Sequence, residues 1–284
     1  MIKVSKPFSL PKAIGIVYSK DIRLLVRQMI KDYKGIIDIY REKKDQIVID
    51  ADKGEWLTTD VQKRLELLGK KWQKRFEEFA ESKSKQVVKK VLKSSDTQIK
   101  QILLHFFSSE RLELLGSVIP VSLRQVMKAH VIENVSLIKS IQSQYHDRIV
   151  GAVSRSITGA GSIKSLALEI DKYGQEGFRR ANLIALDQTR KMYSTLNLRR
   201  FEELGITKVQ WLHTHGGKTV RPYHYRKWDG VSGLKDGHPN GLNGYIFNLK
   251  DKPVIQEAKG NRPEIRGYPA ELPFCTCTWR AVFE

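Results

Sequence analysis

Cys275 and Cys277 stand two residues apart in FCTCTW and are the chain's full complement of cysteines. If that segment is a strand, alternation of side chains puts both thiols on one face. Two thiolates on one side would hold zinc if two further ligands arrived, with His224 or His238 as donors. The plain alternative is a pair of half-buried cysteines that pack as small apolar groups. Histidines fall in and beside HGGKTVRPYHYRKWDG at 215–230, far upstream of the cysteines. His213 and His215 would share a strand face, but this spacing arises easily by chance, and polar residues on an exposed strand end are the ordinary reading. Cys275 or Cys277 with His224 would make a thiol–base pair, but no local signature accompanies it. A divalent-ion nuclease would draw on His213, His215, His224, Asp229 and Asp236, without a recognised carboxylate spacing. No residue is assigned a catalytic role.

A second chemistry is electrostatic. The chain of 284 residues carries a formal charge of +19 and a sequence pI of about 9.8. Residues 1–150 are net +11 and residues 151–284 net +8, so no single tail holds the excess. That balance favours a polyanion such as nucleic acid, or an acidic protein surface. The charged helical stretches KRLELLGKKWQKRFEEF and KSKQVVKK place Lys70, Lys71, Lys74, Arg75, Lys89 and Lys90 where they could meet phosphate. Such contact would ignore base sequence and weaken with salt. A solvated helix face is the ordinary alternative. There is no glycine-rich phosphate cradle of the Walker type.

The elements that must position these residues are mostly helical. Ile22, Leu25, Val26, Met29, Ile30, Tyr33 and Ile37 recur at helical spacing and predict a helix over 20–41. Val61, Leu65, Leu68, Trp72, Phe76 and Phe79 continue the pattern after a break, with Ser95 and Asp96 punctuating before Ile99. Pro120 marks a stop, and a long helix is expected from Ser122 to Ile157. After TGAGS a short helix reaches Ile170, YGQEG interrupts, and a last helix runs from about 176 to Gly205, a residue suited to the left-handed position past a helix end. TKVQWLHT, GYIFNL and FCTCTWRAVF then predict strands, separated by long glycine- and proline-rich connections. The fold class is α+β: a largely helical N-terminal region, a long helical connector and a small mixed α/β C-terminal unit with a short antiparallel sheet. No apolar run approaches ~18 residues, so no membrane span is expected. The first residues do not form a secretory signal. Reduced cysteines and intracellular synthesis are the default.

Several stretches occur in a telling order: NVSLIKSI at 134–141, RRANLIALDQT at 179–189, LGITKVQW at 204–211, then VRPYH, DG at 229–230 and CTCTW. Together they resemble the phage Mu F-like minor head proteins, also called head morphogenesis proteins. Arg180, Ala181 and Ile184 match the helix motif, Trp211 the strand, and Val220, Arg221 and His224 the central motif. Asp229, Gly230, Cys275 and Cys277 match the remainder. Leu186 stands where the family has arginine, and Gly217 or a neighbour where it has aspartate. The resemblance assigns 119–284 to this family, with helices over 119–205 and a strand- and loop-rich unit over 206–284. Residues 1–118 form a helical region without assignment. It implies a virion component of the phage head near the portal vertex, made in the host cytoplasm. Its partners would be the portal protein, major capsid or scaffolding protein, and double-stranded DNA, bound nonspecifically during genome packaging or ejection. Arg221, His224, Cys275 and Cys277 are expected to converge. The alternatives are a metal-dependent nuclease and a packaged effector delivered with the genome.

Overall fold

The computed structural model describes residues 2–47, 53–113, 115, 117, 119–157, 163–214, 221–224 and 241–283. Helices dominate: α1 (Lys12–Ile47), α2 (Lys53–Leu103), the short α3 (Ser109–Glu113), α4 (Val121–Ile157) and α5 (Ile163–Glu203). Six short strands and a 3-10 helix over Pro222–His224 complete the described elements, the strands being β1 (Lys3–Val4), β2 (Lys208–Leu212), β3 (Ile246–Asn248), β4 (Val254–Gln256), β5 (Ile265–Arg266) and β6 (Thr278–Phe283). The class is therefore α+β, helical first and closed by small antiparallel sheets. No helix among the described residues is long and apolar enough to cross a membrane.

Two compact units form. One comprises residues 16–85 and 131–185, and the other residues 1–15, 86–130 and 186–284. Each takes segments from both sides of the 118/119 division read from sequence.

The all-helical unit is built on the spacing seen in the sequence. Ile22, Val26, Met29 and Tyr33 of α1 are buried, as are Leu65, Leu68, Trp72 and Phe76 of α2 and Ile138, Ile141, Tyr145 and Ile149 of α4. These are one-sided stripes, and burying them supplies most of the helices' stability. The expected interruption at YGQEG does not occur: α5 is continuous through it. A Cβ on Gly174 would stand 2.7 Å from Ile30 Cδ1, and one on Gly177 3.3 Å from Val26 Cγ1. These glycines permit close packing of α5 on α1, and that packing outweighs their poor helix propensity.

The mixed unit holds a four-stranded sheet in the order β1-β6-β2-β3, antiparallel throughout. Trp211 of β2 lies opposite Trp279 of β6, and both indoles are fully buried. Phe8 packs edge-on to Phe201 at 5.0 Å between ring centres and stacks on Trp279 at 6.3 Å. Its carbonyl accepts the Thr278 hydroxyl. The unit's part of α2 also departs from expectation, because Ser95 and Asp96 do not end the helix. Asp96 instead receives two bonds from the buried Arg200 guanidinium, from Nε at 2.8 Å and Nη2 at 3.1 Å, while Nη1 bonds Glu203 at 2.7 Å. A buried arginine is tolerated when its donors are paired in this way. Gly205 closes α5 at φ +72°, in the left-handed conformation predicted for it.

Candidate metal centre

Four local structures of the mixed unit supply the centre. β2 carries Trp211, a 3-10 helix over Pro222–His224 carries His224, β4 offers the Ile255 carbonyl, and the loop before β6 carries both cysteines. The cysteines do not lie on the strand itself, which begins at Thr278. Their common direction comes from the preceding loop, where Phe274 takes φ +61°. Its N–H donates to Asp187 Oδ1 at 2.7 Å, so a carboxylate from α5 holds a left-handed residue that seldom adopts that conformation unaided.

His224 Nδ1 lies 3.5 Å from Cys275 Sγ and 3.5 Å from Cys277 Sγ. All three ligand atoms fall within 4.8 Å of one another, and the residues are only 2%, 3% and 1% exposed. The ring's other nitrogen, Nε2, stands 3.2 Å from the Ile255 carbonyl oxygen. A carbonyl only accepts, so Nε2 carries a proton and donates to it, which leaves Nδ1 as the nitrogen facing the sulfurs. The Trp211 indole braces the imidazole edge-on at 5.2 Å. Arg221 Nη2 donates to the Pro273 carbonyl at 2.7 Å, tying the histidine segment to the cysteine loop.

The two thiols are unequal. The Cys275 thiol is held well below its ordinary value, first by a hydrogen bond from Cys277 and then by His224. Burial pushes the Cys277 thiol well up, the neighbouring Cys275 adds to this, and Trp211 and Arg221 oppose it. The Trp211 Nε1–H thus lies near enough to favour a thiolate at Cys277, although it makes no hydrogen bond of normal geometry. Two thiols, that of Cys275 favoured as thiolate, beside an imidazole nitrogen are a donor set for a metal ion. Among the described residues the cluster has these three members.

The other sequence candidates lie elsewhere or outside the described residues. Val220, His215, Asp229, Gly230, Asp236 and His238 fall outside them, and with them most of the nuclease set and the pairing of His213 with His215. His213 takes no part in the cluster; its backbone N–H donates to Asn243 Oδ1 at 2.9 Å. Arg180, Ala181 and Ile184 belong to the helical unit. There Ala181 and Ile184 are buried, and Arg180 Nη2 donates to Ser140 Oγ at 2.8 Å. Asp187 and the Ile255 carbonyl were not singled out as site residues from the sequence. Asp187 stands within RRANLIALDQT, but nothing local gives its role, and no local pattern marks the Ile255 carbonyl, because both act on residues far away along the chain.

The six cations proposed for nucleic acid are all exposed on α2, but several are engaged. Lys71 pairs with Asp32 at 2.6 Å, Arg75 lies 4.5 Å over the Trp72 ring, and Lys74 stands 4.0 Å from Glu78. Lys70 lines a groove of about 1150 Å³ that also holds Glu66, Glu81 and Asp147. In the mixed unit Lys89 lines a groove of about 510 Å³ with Lys93 and Lys100, facing Asp96 and Glu113.

No family model matches the chain, and no solved structure matches it. A stretch of 78 residues, 28% of the chain, is 41% identical to an uncharacterized protein of Haemophilus influenzae (strain ATCC 51907 / DSM 11121 / KW20 / Rd), of which it covers 17%. The chain thus corresponds to about a sixth of that relative's length.

Proposed function

We propose that this protein is a phage minor head protein that associates with the portal vertex, contacts duplex DNA without sequence preference, and is closed by a structural zinc ion on His224, Cys275 and Cys277. The observation that carries the reading is the meeting of His224 with two cysteines 51 and 53 residues further on. Those positions are among the ones that the head-protein resemblance marks as motif, and they join into one buried cluster with Trp211 beside it.

The donor set suits zinc. Tetrahedral bonds of about 2.3 Å to sulfur and 2.0–2.1 Å to nitrogen put S and N roughly 3.6 Å apart, against 3.5 Å for both pairs here. A structural zinc takes four ligands, of which the described residues supply three; full burial of these three groups favours a structural ion over a catalytic one, which would need a position open to substrate. When bound, the ion would supply cross-linking of the strand and loop segments. The role is accordingly one of assembly and not of enzymatic turnover.

Net positive charge in both halves supports contact with a packed genome. The Lys89, Lys93 and Lys100 groove fits that contact better than Lys71, Lys74 and Arg75, whose charges already meet partners in the fold. The test is co-expression with the portal, major capsid and scaffolding proteins of a phage encoding this chain. Co-elution with the portal ring supports the reading. Its absence, together with DNA affinity that does not fall as salt rises, defeats it.

A further inference from the structure

We propose that the helical unit contains a binding site for a phosphate-like oxyanion in a recess between α4 and α5, built on Tyr145, Arg148 and Arg180. This inference is independent of the virion reading and of the metal centre.

The recess has a volume of about 190 Å³, and Gln144, Tyr145, Arg148, Tyr173, Glu176 and Arg180 are among its lining residues. That is below the roughly 300–1,000 Å³ of pockets that take drug-sized ligands, and it suits one small group. Two polar atoms on residues that line it are anomalous. Tyr145 is 3% exposed, and its hydroxyl is buried without a hydrogen-bond partner. Arg180 Nε is buried and unpartnered as well, although Nη2 of the same guanidinium is anchored on Ser140 Oγ at 2.8 Å. Leaving a buried donor unpaired is costly, and native proteins rarely do so without reason. Two such atoms on residues that line one recess point to a missing acceptor.

Both atoms donate. Arginine has no acceptor, and burial raises the Tyr145 phenol far above its ordinary value, so it keeps its proton. The charge has the matching sign. Arg148 and Arg180 face a single carboxylate, Glu176, which pairs with Arg148. Asp171 also acts on Tyr145, but it is engaged by Lys34 at 2.7 Å. The Arg148 guanidinium lies 5.3 Å over the Tyr173 ring, which steadies it beside the recess. An apolar ligand would leave both donors unpaired, and a cation would meet two guanidinium groups. An oxyanion with several acceptor oxygens satisfies both donors and the surplus charge. The source of the anion is either inorganic phosphate or a phosphodiester of the DNA backbone.

The test is calorimetric titration of the full chain with inorganic phosphate at constant ionic strength, beside Tyr145→Phe and Arg180→Gln. The first variant removes only the hydroxyl and keeps the ring in the core, so it decides the question should Arg180→Gln fail to fold. One saturable site per chain is expected in the wild type, weakened about tenfold or more in either variant, or roughly 1.4 kcal/mol. The proposal is overturned if phosphate does not saturate, or if all three proteins bind it alike. With saturable binding in hand, a duplex DNA titration identifies the source. A backbone phosphodiester is indicated where phosphate competes with DNA and the variants bind DNA more weakly. A free anion is indicated where DNA affinity is the same in all three proteins.

Discussion

Asp187 and Phe274 are 87 residues apart, yet the carboxylate of one accepts the backbone N–H of the other at 2.7 Å. Phe274 is held at φ +61°, immediately before the first cysteine of the centre. The second carboxylate oxygen of Asp187 pairs with Lys191 at 3.1 Å, which fixes the acceptor along α5. Asp187→Ala should therefore free the loop while leaving all three ligands present. Groups that orient metal ligands typically alter affinity by about 10–100-fold when lost. The expected outcome is a drop of that size in zinc affinity, read by competition with a chromophoric chelator, with helical circular dichroism unchanged. Unaltered affinity would mean that the cysteine loop holds its shape without this bond.

The ligands themselves make a sharper case. The protein should purify with about one zinc per chain, and Cys277→Ser or His224→Ala should abolish that stoichiometry as measured by elemental analysis. Chelation should lower the melting temperature of the wild type by several degrees and leave the variants unmoved, because binding to the folded state alone stabilises it. Cys275→Ser should behave like Cys277→Ser despite the unequal thiols, since each lies 3.5 Å from the same nitrogen. Wild-type protein free of metal after growth in zinc-supplemented medium would count against the centre.

Which parts of this arrangement can be read from sequence follows from how local their causes are. The stripes of Ile22, Val26, Met29 and Tyr33, and of Leu65, Leu68, Trp72 and Phe76, are local records of burial, so their helices are legible. Strands β2, β3 and β6 are legible in part, through β-branched and aromatic residues. β1 is two residues long and has no period to display. The β4–β5 pair lies in proline- and glycine-rich sequence that resembles plain loop. Gly174 and Gly177 misdirect because a glycine looks the same whether it ends a helix or admits a neighbour; Ile30 and Val26 decide, and they lie on another helix. The ligand types of the centre are visible as Cys275, Cys277 and His224. What brings them together, the Asp187 bond and the Ile255 carbonyl, is tertiary.

Two glycine substitutions in the helical unit should move stability in opposite directions. Gly35 lies inside α1, with nothing within 4 Å of the position that an added methyl would take. Gly35→Ala therefore gains helix propensity and should raise stability by up to about 1 kcal/mol. Gly174→Ala gains the same propensity but places a methyl 2.7 Å from Ile30 Cδ1 and 3.2 Å from Ile30 Cγ1. Overpacking of this kind costs about 1–3 kcal/mol, which exceeds the propensity gain, so a net loss of about 1 kcal/mol is expected. Urea midpoints of the two variants against wild type check both signs. A stabilised Gly174→Ala would show that Ile30 yields freely and that α5 is not closely packed there.

The last expectation concerns pH. The Tyr33 hydroxyl and His146 Nδ1 are 2.7 Å apart, and the ring packs so closely on Gly69 that a Cβ there would come within 2.8 Å of His146 Cε1. Burial lowers the His146 pKa, and the Asp147 charge opposes this without reversing it. The unfolded chain takes up the proton near the ordinary value of about 6.5, whereas the folded unit takes it up only at lower pH. Between those two values the unfolded state binds more protons, so stability must fall as pH falls. The loss begins as pH drops through about 6.5 and is complete below the folded pKa. His146→Gln retains a polar side chain and removes the titration. Its urea midpoint between about pH 8 and pH 5 should decline less steeply than the wild type's, with the curves converging in shape above about pH 7. Parallel curves throughout would remove His146 from the acid sensitivity of this unit.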